Sequence, residues 1–264
     1  MTEAPAPLDG AVVVVTGAGK GIGRHVALAF ADAGATVAAV GRDVAALEET
    51  RDLIGQRARR GLVVRADVCE PEQIEAMARR VLDELGKVDV LVCNSGIAGP
   101  TATLWEIASH DWEQTLSVNV TGTFLCCRAL LPTMIERRSG AIVVIGSVSG
   151  KRPLHGRTPY TTSKLGLVGL VRTLAWEAGE HGIRVNLISP GYVAGPRIER
   201  VIEAQAQALD VTPEEARARF TSASPLGRLT RPQDVAACAV FLASPAAASI
   251  TGEDLNVSAG VAMY

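Results

Sequence analysis

Three polar residues stand at a spacing that could support acid–base chemistry. The segment YTTSK places Tyr160 and Lys164 four residues apart, so their side chains share one face of a helix. A lysine next to a phenol favours the phenolate and lowers the tyrosine pKa, which suits a general acid or base. Ser147 follows an apolar run thirteen residues before Tyr160, where its hydroxyl could hold a substrate oxygen. Singly these residues are more often structural, so the prediction depends on their combination.

A glycine-rich turn near the N-terminus has the composition of a phosphate-binding loop. The stretch VVVVTGAGKGIGRHVALAF runs from a buried-strand pattern through four alternating glycines into a helix pattern. Backbone N–H groups at a helix N-terminus carry partial positive charge and bind phosphate. The spacing fits neither a P-loop nor G-x-G-x-x-G, but it fits T-G-x-x-x-G-x-G at Thr16, Gly17, Gly21 and Gly23. The alternative is a strand-to-helix turn that binds no ligand.

Composition and charge limit the classes of protein to which this chain could belong. Its 264 residues, 48% hydrophobic and 20% charged, suit one α/β domain over residues 1–264 with a sizeable core. A net charge of −2 and a pI of about 6.1 offer no basic field for nucleic acid. No apolar run approaches the roughly 18 residues of a membrane span, and the N-terminus lacks the pattern of a secretory signal. We therefore expect a cytoplasmic protein with no nucleic-acid or membrane partner.

The cysteines and histidines indicate neither a disulfide framework nor a metal site. The cysteines are odd in number and lack C-x-x-C spacing, which predicts reduced, mostly buried thiols at Cys69, Cys93, Cys126, Cys127 and Cys238. The four histidines are scattered, without neighbours suited to a metal, so we expect no metal to be bound.

Strand and helix patterns alternate along the whole chain. Apolar runs predict strands at residues 11–16, 36–41, 62–66, 88–93, 141–147, 183–189 and 254–257. Helical periodicity predicts helices at residues 22–34, 43–58, 71–85, 111–137, 159–180 and 231–244. Nearly continuous apolar strands between helices predict a doubly wound, mostly parallel seven-stranded sheet of the Rossmann type, with helices on both faces. Its ligand crevice is expected at the carboxyl ends of the strands.

One segment interrupts this alternation. Residues 192–228 insert a long helical pattern, RIERVIEAQAQALDVTPEEARARF, before the last helix. An insertion of this length above the strand ends is commonly a lid or a specificity element. We expect it to be a substrate lid within the single domain.

In these motifs the sequence resembles the short-chain dehydrogenases/reductases of the single-domain type. The resemblance covers nearly the whole chain and rests on Thr16-Gly17, Gly21-Ile22-Gly23, Asp67-Val68, Asn94-Ser95-Gly96, Asn119, Ser147, Tyr160, Lys164 and Pro190-Gly191. An ordered set of this kind is far more specific than any one of its members.

The resemblance implies an oxidoreductase that acts on a ketone and a secondary alcohol. Tyr160 would protonate the carbonyl oxygen in reduction or take the hydroxyl proton in oxidation, while Ser147 would hold that oxygen. Lys164 would bind the nicotinamide ribose and tune Tyr160, and Asn119 would anchor a water that links Lys164 to solvent. Ser149 is a rival to Ser147, but the thirteen-residue interval to Tyr160 favours Ser147.

The resemblance also implies a set of cofactor-binding residues. From the glycine turn to the nicotinamide end these are Gly17, Lys20, Gly21, Ile22, Gly23, Arg42, Asp67, Val68, Asn94, Gly96, Tyr160, Lys164, Pro190, Gly191 and Val193. The chain departs from the family at Gly195, where a threonine commonly contacts the nicotinamide carboxamide. That hydroxyl contact is lost here, but Val193 could meet the carboxamide through its backbone.

The end of the second predicted strand, AVGRD, bears on the choice of cofactor. An acid at this place bonds the ribose 2′-hydroxyl of NAD, but Gly41 stands there and Arg42 follows. Arg42 and Lys20 are two cations suited to a 2′-phosphate, which favours NADP(H). NAD(H) is the alternative, because a small backbone shift could bring Asp43 to the ribose.

Basic residues should flank the substrate pocket. The cations of the loop after Ser147 and of the lid are Lys151, Arg152, His155, Arg157, Arg197 and Arg200. The simpler interpretation is a solvated rim, and the alternative is that one or more of them binds an anionic group of the substrate. Ile97, Leu154 and Tyr192 would then form the apolar wall beside the reacting carbon, with His155 at the pocket mouth.

Other functions of the same fold compete with this one. A 3-oxoacyl-thioester reductase and a sugar or polyol dehydrogenase share the chemistry, and the fold does not choose between them. A non-catalytic dinucleotide sensor would have lost part of the Ser, Tyr and Lys set. A scaffold protein would carry a large apolar stripe away from the crevice.

The helix patterns at 111–137 and 159–180 are apolar on more than one face. A helix of this kind must be buried on both sides, against its own sheet and against a partner or a thick core. Together with the family resemblance, this predicts a homotetramer built partly on these helices.

Overall fold

The computed structural model describes residues 6–57, 59–152 and 154–264, and within them seven strands form one sheet. In chain order the strands are β1 (Val12–Thr16), β2 (Thr36–Gly41), β3 (Gly61–Arg65), β4 (Val90–Cys93), β5 (Gly140–Ile145), β6 (Ile183–Pro190) and β7 (Asp254–Val257). All neighbouring pairs are parallel, in the order β3-β2-β1-β4-β5-β6-β7. The predicted doubly wound, Rossmann-type sheet is confirmed.

Nine α-helices lie within the described residues. They are α1 (Gly21–Asp32), α2 (Val44–Gly55), α3 (Pro71–Leu85), α4 (Ser109–Leu116), α5 (Gly122–Arg137), α6 (Thr158–Gly179), α7 (Pro196–Leu209), α8 (Pro213–Ser222) and α9 (Pro232–Ala243). Short 3₁₀ turns at Leu104–Glu106, Val148–Gly150 and Pro245–Ala247 complete the connections.

The sheet is covered on both faces, which explains why its strands are almost continuously apolar. On one face Ile74 of α3, Leu130 of α5 and Leu167 of α6 belong to one core cluster. On the other face Phe30 of α1 and Leu242 of α9 belong to a second. The sheet therefore holds its strand ends rigidly between two packed layers.

The predicted boundaries differ from the observed ones mainly at element ends. The helix predicted over 43–58 ends at Gly55, because the Arg57 N–H turns back to the Ile54 carbonyl. Residue 58 lies outside the described residues. The strand predicted over 141–147 ends at Ile145, two residues before Ser147.

The predicted helix at 111–137 begins at Ser109 and contains a π-helical turn at Ser117–Thr121. By length and composition alone, the segment Ser109–Arg137 is long and apolar enough to cross a membrane, although the apolar run is interrupted by polar residues such as Arg128. Its side chains Leu125, Leu130 and Met134 are buried in the core against the sheet. A core helix satisfies the same length and composition.

Residues 192–228 contain α7 and α8, which pack on each other around a small apolar cluster. Ile198, Ile202 and Ala216 form this cluster, with Tyr192 and Phe220 packed at its edge. The segment therefore has its own packing contacts, apart from the two layers that cover the sheet.

The crevice expected from this topology lies where the strand order reverses. From β1 the chain first builds β2 and β3 on one side, and then crosses to β4 on the other. Loops after β1 and β4 separate there at the carboxyl edge, which makes room for a ligand. Thr16 ends β1 and Cys93 ends β4, so the predicted motifs begin at this edge.

Candidate active site

The opening turns of α6 carry Tyr160 and Lys164 on one face, as the spacing predicts. Pro159 stands within the first turn, where its missing N–H costs nothing. The Lys164 ammonium lies 5.8 Å from the centre of the Tyr160 ring and donates to the Ile145 carbonyl at 2.9 Å. The last carbonyl of β5 thus fixes the lysine beneath the phenol.

Ser147 follows β5 and caps the 3₁₀ turn Val148–Gly150. Its hydroxyl oxygen accepts from the Ser149 N–H at 3.1 Å, which leaves its own proton free to donate. The Ser147 hydroxyl also helps to lower the pKa of the Tyr160 phenol, whereas Ser149 contributes its backbone to this arrangement. The choice of Ser147 over Ser149 stays a prediction.

Burial opposes ionisation of the Tyr160 phenol, but nearby positive charge outweighs it. The charges of Lys164 and Arg197 favour the phenolate, and the Ser147 hydroxyl adds to their effect, so the pKa of Tyr160 lies below its ordinary value. Burial also lowers the pKa of Lys164, the Tyr160 phenolate raises it, and Arg197 lowers it further. A tyrosine with a lowered pKa gives up its proton more readily than a free tyrosine does.

Asn119 stands in the π turn, a local irregularity that often marks functional sites. Its buried amide oxygen accepts from the Ile97 N–H at 2.8 Å, and its amide nitrogen donates to the Ile97 carbonyl and to the Ser163 hydroxyl. Ser163 in turn donates to the Tyr160 carbonyl at 2.7 Å. Asn119 therefore ties the loop after β4 to the first turn of α6.

Ser163 is a contributor that the motif analysis missed. It is fully buried between Asn119 and the backbone of Tyr160, and a serine one position before Lys164 carries little signal by itself. Its position three residues after Tyr160, on the inward face of α6, is the pattern that could have indicated it.

The glycine turn is built around Thr16 and Asn94. The Thr16 hydroxyl accepts from the Asn94 and Ser95 N–H groups, and the Asn94 amide donates to the carbonyls of Thr16 and Gly17. A Cβ at Gly23 would come within 2.1 Å of the Gly17 carbonyl oxygen, so α1 can approach β1 this closely only with glycine there. These contacts hold the turn open in one shape.

The N-terminus of α1 has the features of an anion site. The Lys20 side chain, at the N-cap, makes no capping hydrogen bond, and the first turn contains no acidic residue. Gly21 has φ = +54°, and a Cβ at this position would meet nothing within 4 Å. Ile22 follows and packs at the edge of the core. Free N–H groups beside open space suit the pyrophosphate of a dinucleotide.

Both cations expected at the adenosine end have acidic partners. Lys20 pairs with Asp43 at 2.7 Å, and Arg42 pairs with Asp67 at 3.4 Å. Asp43, the acid that could turn to the ribose of NAD(H), is thus bound to Lys20. The Lys20 and Arg42 side chains are nevertheless 74% and 69% exposed, so both pairs face solvent and are weak.

The remaining adenosine-side residues lie along the edge formed by β3 and β4. Asp67 accepts from the Cys69 N–H at 3.0 Å, and Val68 is buried against Gly122 of α5. Burial raises the pKa of Asp67, but the Cys69 N–H and the Arg42 charge lower it below its usual range overall. A Cβ at Gly96 would stand 3.5 Å from the Lys164 ammonium, so this glycine adjoins the α6 pair.

The segment after β6 is held by the C-terminal part of the chain. The Gly191 N–H donates to the Val257 carbonyl, and a Cβ at Gly191 would stand 2.9 Å from the Ser258 Cα. Pro190 pairs with Val257, and Val193 bridges to Thr230. Pro190, Gly191 and Val193 therefore lie at the carboxyl edge of β6, with the backbone of Val193 fixed.

The predicted substrate residues are only partly brought together. Ile97 is fixed by Asn119 next to the α6 pair. Tyr192 packs edge-on against Phe220, with ring centres 5.0 Å apart, so it belongs to the α7–α8 cluster. Leu154 and His155 are exposed, and no described contact joins them to Tyr160.

The predicted basic rim divides into two groups. Lys151 pairs with Asp254 at 3.0 Å and Arg152 donates to the Val261 carbonyl, so both serve the C-terminal segment. Arg200 is exposed and donates to the Pro196 carbonyl of its own helix. Arg157 and Arg197 form the second group, because both guanidinium carbons lie 5.6 Å from the Tyr160 ring centre, with Arg157 half-buried and Arg197 exposed.

Known proteins are similar to this chain over nearly its whole length. A family model described as enoyl-(acyl carrier protein) reductase matches residues 17–262. D-threitol dehydrogenase of Mycolicibacterium smegmatis is 39% identical, with 96% of this chain and 93% of that protein covered. 3-Oxoacyl-(acyl-carrier-protein) reductase of Thermotoga maritima is 35% identical, with 96% and 98% covered.

Two solved structures have folds similar to that of this chain. NAD⁺-bound xylitol dehydrogenase superposes with a TM-score of 0.91 at 29% identity, covering 96% of this chain and 99% of that one. A variant actinorhodin polyketide ketoreductase with NADPH superposes with a TM-score of 0.92 at 34% identity, covering 96% and 98%. The chain belongs to the short-chain dehydrogenase/reductase family. It is an NAD(P)-dependent oxidoreductase that acts on alcohol and ketone substrates.

Proposed function

We propose that this enzyme interconverts a ketone and a secondary alcohol with NADP(H), using Tyr160 as the general acid and base. The observation that carries the proposal is the half-buried phenol of lowered pKa, between the Ser147 hydroxyl and the Lys164 ammonium. A phenol so placed can give or take a proton at the oxygen that Ser147 holds.

In reduction, Tyr160 gives its proton to the carbonyl oxygen of the substrate, and in oxidation it removes the proton of the hydroxyl. Ser147 donates to the same oxygen, because its own oxygen already accepts from Ser149. Lys164 stabilises the phenolate that remains after proton transfer. The bound nicotinamide cofactor supplies or accepts the hydride.

The return of a proton to Tyr160 involves Lys164 and Asn119 in this proposal. The Asn119 side chain already bonds Ile97 and Ser163, so it positions the loop after β4 rather than offering free hydrogen-bonding groups. A water relay from Lys164 would pass through the space beside Gly96, where the nearest atoms are the Asn119 amide oxygen and the Lys164 ammonium.

The cofactor would lie along the carboxyl edge from β3 to β6. The glycine turn with Gly17, Gly21, Ile22 and Gly23 would take the pyrophosphate on the free N–H groups of α1. The adenosine would rest on Asp67, Val68, Asn94 and Gly96, and the nicotinamide end on Tyr160, Lys164, Pro190, Gly191 and Val193. The residues present fit a dinucleotide, since the open side of Gly21 leaves room where phosphate would enter.

The preference for NADP(H) rests on Arg42 and Lys20. Asp43, the acid that would favour NAD(H), accepts the Ala46 N–H as N-cap of α2 and is bound by Lys20. A 2′-phosphate carries more negative charge than either carboxylate, so it can draw both exposed cations from their present partners. NAD(H) is the alternative if Asp43 leaves Lys20 and turns to the ribose.

Residues 192–228 would act as a substrate lid. Their cluster is packed separately from the main core, and α7 begins within reach of Tyr160 through Arg197. A unit with few contacts to the sheet can move without disturbing it.

The proposed assembly is a homotetramer built partly on α5 and α6. Within the described residues, Phe124, Leu165 and Trp176 on these helices are 46%, 55% and 90% exposed. Large apolar side chains in this number on two helices suit a partner surface. Light scattering at micromolar concentration should give about four times the 27.6 kDa chain mass, and a monomer would contradict the assembly.

The experiment that tests the function measures NADPH oxidation with a panel of ketones that includes neutral 2-alkanones, polyol-derived ketoses and 3-oxoacyl thioesters. We expect turnover with at least one class, and formation of the secondary alcohol in equal amount. Absence of carbonyl-dependent oxidation with both NADPH and NADH would contradict the proposal. The panel also separates polyol chemistry from thioester reduction.

A further inference from the structure

The start of α7 delivers a cation to the phenol. Gly195 precedes the helix at φ = +142°, a conformation that glycine tolerates and other residues rarely adopt, and Pro196 fixes the first helical position. The next residue is Arg197, whose guanidinium carbon lies 5.6 Å from the centre of the Tyr160 ring. Gly195, which stands where the family commonly has a threonine, thus sets the direction in which the chain places Arg197.

A second guanidinium reaches the same ring from the loop before α6. Arg157 donates to the Ala98 carbonyl at 3.0 Å and to the Thr101 hydroxyl, which fix its direction. Its Nε atom is buried and has no hydrogen-bond partner within the described residues. A buried charged donor without a partner is costly, so a ligand oxygen at this position would remove that cost.

The two arginines repel one another and lack acidic partners. Burial lowers the pKa of Arg157, and the charge of Arg197 lowers it further. Neither Arg157 nor Arg197 forms an ion pair with a described residue. Glu199, the acid nearest to Arg197 in sequence, forms its ion pair with Arg217. With Lys164, three cations face Tyr160 without a carboxylate to balance them.

We propose that Arg157 and Arg197 bind a carboxylate of the substrate beside the reacting carbonyl, so that the preferred substrates are short oxo acids and the corresponding hydroxy acids. Guanidinium groups bind carboxylates through paired N–H donors, which fixes orientation as well as charge. Both guanidinium carbons lie 5.6 Å from one ring centre. The acid group must therefore be only a few bonds from the carbon that exchanges hydride.

The same cations could instead hold a phosphate of the cofactor, and the two sources of negative charge differ in location. The free N–H groups at the start of α1 follow β1, whereas Arg157 and Arg197 approach Tyr160 from the loops after β5 and β6. The pyrophosphate has its own site in the proposed function, which leaves the arginines for the substrate. Cofactor binding is measured below to separate the two.

The test compares acetoacetate with its methyl ester, which keeps the ketone and removes the charge. The parent enzyme with NADPH should show a kcat/KM about tenfold or more higher for the acid, with a gap that narrows as salt rises. Arg197→Gln should lower kcat/KM for the acid about 10- to 100-fold more than it lowers kcat/KM for the ester, whose own change measures the effect of Arg197 on the Tyr160 phenol. Arg200→Gln, on the same helix but directed to the Pro196 carbonyl, is the matched control and should change neither.

A binding measurement without turnover completes the test. Malonate, which carries carboxylates but no ketone, should bind the NADPH complex of the parent enzyme in calorimetry and lose that binding in Arg197→Gln. Circular dichroism of each variant checks that it is folded, and Arg197→Lys should retain part of the malonate affinity. The Kd of NADPH should be the same in the parent and in Arg197→Gln.

The proposal rests on the proposed function for its reaction, and the outcomes separate the two. Equal kcat/KM for ester and acid at low salt would overturn the carboxylate site while leaving the ketone chemistry intact. A weakened Kd for NADPH in Arg197→Gln, with malonate unaffected, would assign the arginines to the cofactor and also overturn it. Malonate binding without turnover of any carbonyl would support the site and contradict the proposed function.

Discussion

The two ends of the carboxyl edge of the sheet differ in how they balance charge. At the adenosine end, Lys20 and Arg42 each hold a carboxylate in an exposed pair. At the catalytic end, Lys164, Arg157 and Arg197 surround one phenol, and no acid pairs with them within the described residues. The first end is neutral by itself, whereas the second carries excess positive charge.

This difference indicates which interactions a ligand must supply. Exposed ion pairs contribute about 0–1 kcal/mol each, so a ligand phosphate can replace their carboxylates at little cost. Excess positive charge around the half-buried phenol lowers its pKa and favours an anion nearby. The adenosine end can therefore exchange partners, while the catalytic end is incomplete without negative charge.

The largest effect is expected from removing the phenol that the three cations surround. Tyr160→Phe should lower kcat by about 10²–10⁴-fold, because general acid–base catalysis is lost, while the Kd of NADPH stays the same. Steady-state kinetics and fluorescence titration measure the two quantities. Turnover close to the parent value would mean that another group moves the proton.

The next change removes one cation and keeps the volume. Lys164→Met should raise the pKa of Tyr160, since the lysine charge now helps to hold that pKa below its ordinary value. Alcohol oxidation needs the phenolate, so the pH at which kcat/KM for oxidation rises should be higher than in the parent enzyme. Ketone reduction needs the protonated phenol, so kcat/KM for reduction should stay high up to a higher pH than in the parent enzyme. The pH dependence of kcat/KM measures the shift. Lys164→Arg keeps the positive charge, so its pH profile of kcat/KM should lie closer to that of the parent enzyme.

The adenosine end is tested by comparing how tightly the two cofactors bind. We expect the parent enzyme to bind NADPH more tightly than NADH, and Arg42→Asp to reverse the order, with NADPH weakened about tenfold or more. Arg51→Asp makes the same change of charge on α2, where Arg51 pairs with Asp52, and should preserve the order. Tighter binding of NADH by the parent enzyme would contradict the NADP(H) assignment.

The smallest effect concerns the residue that aims Arg197. Gly195→Ala should lower the free energy of unfolding by about 1–3 kcal/mol, because φ = +142° is strained for any residue with a Cβ. Gly55→Ala, at the helical end of α2 with nothing within 4 Å, is the control and should not destabilise the protein. Urea unfolding measures both. An unchanged midpoint in Gly195→Ala would mean that the start of α7 adapts to the new side chain.

Much of the fold follows from local patterns in the sequence. The valine run of β1 and the helical spacing of Tyr160 and Lys164 were placed correctly, because strand burial and helix periodicity act over a few residues. Errors fell at element ends, as at Gly55 and Ile145, where caps and turns decide the boundary. The π turn at Asn119 left no signal in the periodicity.

The charge environment of the site was less predictable. The sequence placed Lys151, Arg157 and Arg197 in one basic rim, yet Lys151 pairs with Asp254 from the last strand. It also left open how Asp43 would stand toward Lys20. Each of these pairings joins segments far apart in the chain, so no local pattern could reveal them.

By itself, the sequence determined the parallel sheet, the glycine turn and the face of α6 that carries Tyr160 and Lys164. These features depend on backbone geometry that repeats within one element. Only the tertiary structure decided which cations reach the phenol, because Arg157 and Arg197 arrive on separate loops whose directions are set by contacts with Ala98 and by the φ of Gly195. The sequence determines which side chains are charged, but the packing of the loops determines the distances between those charges.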